Sequence, residues 1–360
     1  MRELALKKFW EERGAKFGEL GGAQCVESFA DAESEYKAIR NSAGLCDFSF
    51  MRIVEFPESD GIDYLDTALA ANILKLRYGR IIDTFLCDEN GKITAEVFVA
   101  NIDDKVFAFT ESLTDSAEIL GEGGNAKDAT KDYAIFSVDG PKAWEVARDI
   151  FGSDIFNLPY LAIEKYDFEG DCAYLMRNGK TGEFGYSFVV PSAKAEAMAQ
   201  KLCQAVENAG GALCGTKAHA VARLESGFFN IYKEGALVGD PIALGLQWMA
   251  DFSKDSFSGS EAVYKVREEE AKAKITAVEG KADAAQGDVD NLETYVGTIP
   301  ETAKSKNVVA YVDEKTSGIA SDAELNALKT RMTTAEGSIK TNADDIDALE
   351  GRADAVEAKA

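Results

Sequence analysis

The sequence has little histidine and little positive charge, and each shortage excludes a class of protein. One histidine and six cysteines, none of them in a Cys-x-x-Cys pair, do not supply the four ligands of a structural zinc site. Thirty-nine basic against 63 acidic side chains give a net charge of −24, which argues against nucleic-acid binding. No apolar run reaches the roughly 20 residues that cross a bilayer, and the N-terminus lacks a signal-peptide core. We therefore expect a cytoplasmic protein with free thiols, no metal and no membrane span.

The composition changes near Arg267. Aromatic residues and glycines are spread through the first 266 residues, whereas no phenylalanine or tryptophan follows Arg267. The later part is rich in alanine, glutamate, aspartate and lysine. This change predicts a globular region over residues 1–266 and a separate tail.

The tail has a heptad pattern. Apolar residues recur at alternating spacings of three and four in two series, Ile275, Val278, Ala282, Ala285, Val289, Leu292, Val296, Ile299 and then Leu325, Leu328, Met332, Ala335, Ile339, Asn342, Ile346, Leu349, Ala353, Val356. Such spacing is typical of the buried seam of a coiled coil. We predict coiled coils over 267–299 and 325–360, with an interruption over 300–324 that begins at Pro300.

Two structures fit this tail. An amphipathic hairpin could fold back on the first region, or the tail could associate with other copies of itself. Both seams are narrow, which favours self-association. Isoleucine and valine at several seam positions and the polar Asn342 suit a small parallel oligomer, so that a homotrimer is the prediction. In this respect the tail resembles, in general terms only, the coils of phage-type fibres.

The first 266 residues read as α+β with antiparallel sheets and flanking helices. Strand-like segments cover residues 51–56, 80–87, 93–101, 105–110, 133–138, 172–177 and 186–190. Helices are predicted up to residue 20 and over 32–41, 141–150, 193–209 and 218–226. The Asp-Glu-Asn-Gly turn that starts at Asp88 predicts a hairpin, and hairpin-joined strands argue against a doubly wound parallel sheet.

A series of short motifs resembles one family. They occupy residues 14–17, 44–51, 87–96, 139–143, 177–186, 223–227, 240–248 and 257–262, and include Arg177-Asn-Gly-Lys-Thr-Gly-Glu-Phe-Gly-Tyr and Arg223-Leu-Glu-Ser-Gly. Their order and spacing over about 260 residues resemble the glycine-cleavage T-protein, the aminomethyltransferase family that uses tetrahydrofolate. The resemblance implies two intertwined α+β halves, folate binding and one-carbon transfer.

The resemblance also implies site residues. The essential aspartate of the family falls at Glu96, which would stabilise positive charge or handle a proton beside the folate nitrogens. A solvated strand carboxylate is the alternative for Glu96. Met51 falls at the apolar contact under the folate ring, with a core methionine as the alternative.

Several positions depart from the family. Its pterin-binding glutamate is Ser187 here, its neighbouring tyrosine is Lys180 and an arginine is His219, and the heptads stand where the family has a C-terminal barrel. Folate affinity should therefore be weakened unless Glu183 or Lys180 compensates. Lys180 and His219 could instead attract an anionic tail of the ligand.

Two functions follow from these residues. The first is a tetrahydrofolate-dependent one-carbon transferase that takes a small-molecule donor and works with a carrier protein. The second is a non-catalytic binding or scaffold protein with the folate fold, displayed on an oligomerising coil. The ordered set of motifs favours the first. The loss of the pterin glutamate at Ser187 and of the C-terminal barrel favours the second.

Overall fold

The computed structural model describes residues 1–113, 120–296 and 323–357, and the chain forms two compact units, 1–266 and 267–360. The strands are β1 Lys16–Leu20, β2 Ala23–Ser28, β3 Gly44–Asp47, β4 Arg52–Pro57, β5 Ile81–Cys87, β6 Ile93–Ile102, β7 Lys105–Ser112, β8 Lys127–Asp128, β9 Tyr133–Asp139, β10 Ala162–Phe168, β11 Asp171–Arg177, β12 Gly185–Pro191 and β13 Ala212–Leu213. The helices are α1 Lys7–Glu11, α2 Ala32–Asn41, α3 Glu58–Ala68, α4 Ala143–Phe151, α5 Ala195–Asn208, α6 Thr216–Glu225, α7 Ser260–Val296 and α8 Ala323–Glu357, with a few shorter helical turns between them.

The first unit is α+β and contains two large sheets. One has the strand order β10-β11-β12-β9-β3-β13, and the other has the order β5-β6-β7-β4-β8. Strand β3 comes early in the chain yet pairs with β9, so that the N-terminal part of the chain completes the sheet formed by the later part. Apart from β13 with β3, the strand pairs named among the described residues are antiparallel.

The β6–β7 hairpin fixes the register that the site depends on. Its turn contains Asp103 and Asp104, both with positive φ of 56° and 57°, as a type I′ turn requires. From this turn the register pairs Glu96 with Glu111. The predicted strand boundaries in this hairpin agree with the structure to within two residues.

The cores lie on both faces of the sheets. Helices α4 and α5 cover one face of the six-stranded sheet, where Phe136 and Phe188 are fully buried. Side chains from both large sheets share a second cluster, in which the Phe107 and Tyr174 rings lie 5.6 Å apart. The six cysteine thiols are all unpaired and four of them are buried, as expected. Phe48, Phe50, Met51 and Phe98 also belong to this second cluster.

The prediction of a helix up to residue 20 is wrong. Helix α1 ends at Glu11, and Gly14, at a φ of 84°, turns the chain into β1. Strand β1 pairs with β2, with Phe17 opposite Val26. Pairing with a strand that follows directly in the chain therefore overrides the helical pattern of the opening residues.

The second unit contains α8 and the part of α7 that follows Val266. Along α7 and α8, most seam side chains are less exposed than their neighbours: Val278, Ala282, Ala285, Val289, Leu328, Ala335, Ile339, Ile346 and Leu349 are half-buried and Met332 is buried. Ile275, in contrast, is 45% exposed. The predicted interruption over 300–324 lies outside the described residues except for its last two. None of the described helices is long and apolar enough to span a membrane.

Candidate functional site

Two glutamates face each other across the β6–β7 hairpin. Glu96 and Glu111 are register partners, and both are buried, Glu96 to 2% exposure. Like charges directly opposite each other destabilise a sheet. Arg223 of α6 lies between them: its Nη1 donates to both Glu111 oxygens, at 2.9 and 3.1 Å, and its Nη2 donates to Glu96 Oε2. Arg223 therefore joins the helix to the sheet through both carboxylates.

Burial and ion pairing act in opposite directions on these groups. Burial alone would raise the pKa of Glu111, but the adjacent Arg223 charge outweighs it and holds this pKa below the ordinary value. Burial would lower the pKa of Arg223, and the Glu111 and Glu96 carboxylates raise it instead. Arg223 and Glu111 thus stay ionised at neutral pH.

A second cation, Lys180, reaches Glu96 from the loop after β11. Its Nζ donates to Glu96 Oε1, lies 3.4 Å from Asp83 Oδ2 and lies 4.2 Å from the centre of the Phe98 ring. Burial, offset only in part by the Lys180 charge, raises the pKa of Asp83 to about 7. Asp83 Oδ1 also has no hydrogen-bond partner among the described residues. Three carboxylates thus share two cations, and Asp83 is the least well paired.

A small cavity lies beside this ionic cluster. Its volume is about 20 Å³, and its lining includes Met51, Phe98, Lys180 and Ser187. This is room for about one water molecule. Ser187 Oγ donates to Asn178 Oδ1 at 2.8 Å, so that its proton is already used.

A larger cleft of about 420 Å³ has an aromatic wall. The Phe48 and Phe50 ring centres lie 5.0 Å apart, and the Phe50 and Tyr232 centres lie 6.2 Å apart. Burial raises the pKa of Tyr232, whose hydroxyl oxygen accepts a hydrogen bond from the Ser112 amide at 3.2 Å. The cleft therefore offers flat apolar surfaces with a neutral phenol beside them.

The two cavities share part of their lining. Phe48, Glu111, His219 and Arg223 line both of them. His219 lies with its ring edge against Phe48, at 4.9 Å between centres, and its Nε2 is 3.5 Å from Asp139 Oδ2. A ligand in the cleft would therefore meet an aromatic ring, an ion pair and an imidazole on one wall.

The structure brings most of the predicted site residues together. Glu96 contacts Lys180, and Met51, Lys180, Ser187 and His219 line the small cavity. Because Glu96 is buried and bridged by two cations, the alternative of a solvated strand carboxylate is wrong.

Glu183 is the exception among the predicted residues. It lies in a separate groove with Tyr160 and Arg177, where its carboxylate is 3.4 Å from Arg40. Glu183 is therefore not part of the group around Glu96.

The sequence reasoning missed eight residues of the site: Phe48, Phe50, Asp83, Phe98, Glu111, Asp139, Arg223 and Tyr232. Glu111 could have been found, because counting outward from the two-residue turn of the β6–β7 hairpin places it opposite Glu96. Asp83 and Asp139 come from strands of two different sheets, so that no local spacing relates them.

Comparison with known proteins identifies the family. The profile described as "GCVT N-terminal domain" matches residues 6–254. The chain belongs to this family. The resemblance to the glycine-cleavage T-protein is thereby confirmed, and the family region ends shortly before α7 begins.

Individual proteins are also similar to this chain in sequence or in structure. An aminomethyltransferase of Corynebacterium aurimucosum is 26% identical over 304 residues, covering 80% of this chain and 82% of the relative. Another, from Caldanaerobacter subterraneus subsp. tengcongensis, is 25% identical and covers 90% and 91%. The crystal structure of glycine cleavage system aminomethyltransferase T from Bartonella henselae matches with a TM-score of 0.63 at 22% identity, over 74% of this chain and 75% of that one. This last likeness supports the fold alone.

Proposed function

We propose that the chain is a tetrahydrofolate-dependent one-carbon transferase. The observation that carries the proposal is the 420 Å³ cleft, whose aromatic wall of Phe48, Phe50 and Tyr232 adjoins the buried charges at Glu111 and Arg223. Ligand sites commonly occupy about 300–1,000 Å³ and combine apolar walls with a few placed polar groups. The residues present thus fit a flat, polar-edged ring system such as a pterin.

Each group in the cleft has a physical role in this proposal. The rings of Phe48 and Phe50 would hold the flat ring system, and Met51 would bound the adjoining small cavity. Glu111 has lone pairs left after its two bonds to Arg223, and these would accept hydrogen bonds from the pterin edge. Tetrahydrofolate, when bound, supplies the nitrogen that takes up the one-carbon unit.

Glu96 would act electrostatically. Both of its oxygens accept hydrogen bonds from cations, Oε1 from Lys180 and Oε2 from Arg223, and it lines neither cavity. We infer that Glu96 fixes Arg223 and Lys180 at the wall of the site and sets the local field. In this arrangement Lys180 is neutralised by Glu96 and Asp83, and Glu183 takes no part.

A non-catalytic binding or scaffold protein is the second candidate. It is favoured by Ser187, whose hydroxyl is bonded to Asn178, and by the small size of the cavity next to Lys180. In that case the fold would bind a ligand without transferring a carbon unit from it.

We further propose that the tail forms a coiled coil that assembles the protein as a homotrimer. The apolar area that the seams of α7 and α8 leave uncovered in the single chain, such as Ile275 at 45% exposure, supports this assembly, because a helix that leaves a narrow apolar stripe unpaired is marginal in water. The proposed partners of the first region are a small one-carbon donor and a carrier protein, in the cytoplasm.

Tetrahydrofolate titration with the full chain tests the proposed function. Calorimetry should give one binding site per chain. A separate activity assay should show transfer of a one-carbon unit from an aminomethyl or methyl donor to the bound tetrahydrofolate. Glu96→Gln should lower transfer about 100-fold, the scale of losing one electrostatic group in a site. Glu89→Gln, an exposed carboxylate in the β5–β6 turn, is the matched control and should leave transfer unchanged. Binding without transfer supports the second candidate, and the absence of any tetrahydrofolate binding rejects the transferase and favours the scaffold.

A further inference from the structure

The only histidine of the chain lies in the wall of the candidate site. His219 on α6 is 6% exposed and lines both the cleft and the small cavity. Its ring edge rests against Phe48, which limits rotation of the imidazole. A buried imidazole, whose two ring nitrogens can donate or accept a hydrogen bond, thus faces the space where a ligand would bind.

Asp139 lies next to this imidazole. It is fully buried, and its Oδ2 accepts a hydrogen bond from Ser137 Oγ at 2.6 Å while Oδ1 accepts one from Thr181 Oγ1 at 3.3 Å. Asp139 Oδ2 is also 3.5 Å from His219 Nε2. A carboxylate fixed behind an imidazole is the arrangement that orients acid–base histidines, and such contacts tighten when a ligand binds.

The other charged groups around His219 are already paired. Glu111 and Arg223 neutralise each other through two hydrogen bonds. Lys180 is held by Glu96 and Asp83. Of the charged and titratable side chains that line both cavities in the described part of the chain, His219 is the one outside these strong ion pairs.

We propose that His219, oriented by Asp139, carries the proton during one-carbon transfer. This role rests on the proposed function. A bond forms between the folate nitrogen and the carbon, and the bond from that carbon to the donor heteroatom breaks with its electron pair on the heteroatom. The neutral imidazole takes the proton from the folate nitrogen and delivers it to the leaving heteroatom, so that no net proton is consumed. This role differs from the anion-holding role predicted from the sequence.

The imidazole can be observed without any ligand. Because the chain has one histidine, NMR of the full-length protein gives one set of imidazole signals. Asp139→Asn should change the nitrogen chemical shift of Nε2 at constant pH, because this nitrogen loses the carboxylate beside it. Asp154→Asn, an exposed carboxylate outside the site, is the control and should leave the imidazole signals in place. An unchanged Nε2 signal in Asp139→Asn overturns the pairing.

Two substitutions of His219 separate proton transfer from anion holding. His219→Gln and His219→Arg should both lower kcat by about 10²–10⁴-fold with a small change in KM, because neither side chain exchanges a proton near neutral pH. Wild-type kcat in His219→Arg would assign an anion-holding role and overturn the proposal. Thermal melting and tetrahydrofolate binding check that each variant is folded.

The outcomes also distinguish this inference from the proposed function. If the wild-type chain is active and the His219→Gln variant keeps the wild-type kcat, the role of His219 is rejected and the proposed function stands. A wild-type chain that binds tetrahydrofolate but transfers nothing rejects both.

Discussion

Residues 1–266 and the tail use their apolar residues in different ways. In the first unit the large side chains are buried within the same chain, as with Trp10 and Phe136, whose rings lie 6.3 Å apart. In α7 and α8 the apolar residues form narrow stripes that are mostly half-buried. Hairpins bring their own pairing partners close in sequence, whereas a heptad stripe needs a second helix. The first unit should therefore fold alone, and the tail should depend on assembly.

The largest expected effect is on the mass of the particle in solution, compared between the full chain and residues 1–267. Sedimentation equilibrium should give three chains per particle for the full protein and one for residues 1–267. Truncation after Arg267 keeps Val263, which packs in the core of the first unit, and removes the heptads. A monomeric full-length protein at tens of micromolar would contradict self-association and favour a folded-back hairpin.

Matched arginine substitutions should separate the two regions energetically. Arg223→Met should lower the free energy of unfolding by about 3–5 kcal/mol, because it leaves two buried carboxylates without their shared cation. Arg331→Met, at an exposed position of α8, should change it by no more than about 0.5 kcal/mol. Urea denaturation of both variants measures the difference, and equal losses would argue that Arg223 is not the centre of the cluster.

The pH dependence of stability should come from the first unit. The pKa of Asp83 is about 7 in the folded chain because of burial, against 3.8 ordinarily, so that the folded state binds this proton more tightly. Its contribution to stability is therefore full below about pH 4 and is lost as the pH rises to about 7, by an amount of roughly 2–4 kcal/mol.

Asp83→Asn should remove that loss of stability with rising pH, since the amide does not ionise. Asp345→Asn on α8 is the matched control, at an exposed position. Denaturation from pH 4 to pH 8 measures both variants. A wild-type profile that stays flat over this range would contradict the raised pKa. An Asp83→Asn profile that falls as the wild-type profile does would place that pKa on another residue.

The smallest expected effect concerns the tail seam. Asn342 is exposed in the single chain but would be buried in a coil, so that Asn342→Ile should stabilise the assembly by about 1–2 kcal/mol per chain. The readout is the thermal melting of the helical signal against protein concentration. Melting that ignores both the substitution and the concentration would indicate that this seam has no partner.

The sequence predicts the strands of the first unit well and its ionic cluster poorly. The alternation of apolar and polar residues on either side of a tight turn predicts β6 and β7, because the whole pattern lies within the two strands and their turn. Trp10, in contrast, donates to Asp47 Oδ2 across 37 positions, and Arg223 meets Glu96 across 127. Such contacts depend on how the sheets and α6 pack, and no spacing in the chain reveals them.

The family resemblance predicted that Glu96 belongs to the site. It did not predict that this carboxylate is ion-paired. From the sequence, Lys180 could hold an anion and Glu96 could be a free base. In the structure neither charge is free for a ligand. Burial makes an unpaired charge costly, and the two side chains pair with each other. Function at this site depends on the charges that remain available to a ligand, a property that only the packed structure specifies.

The most direct test of the account is tetrahydrofolate binding by the full chain and by residues 1–267, measured by calorimetry under identical conditions. We predict one site per chain with the same Kd, within about twofold, in both proteins. Absence of binding in both proteins would contradict the folate site. Binding that is lost on truncation would contradict the claim that the first unit alone binds the ligand while the tail serves only for assembly.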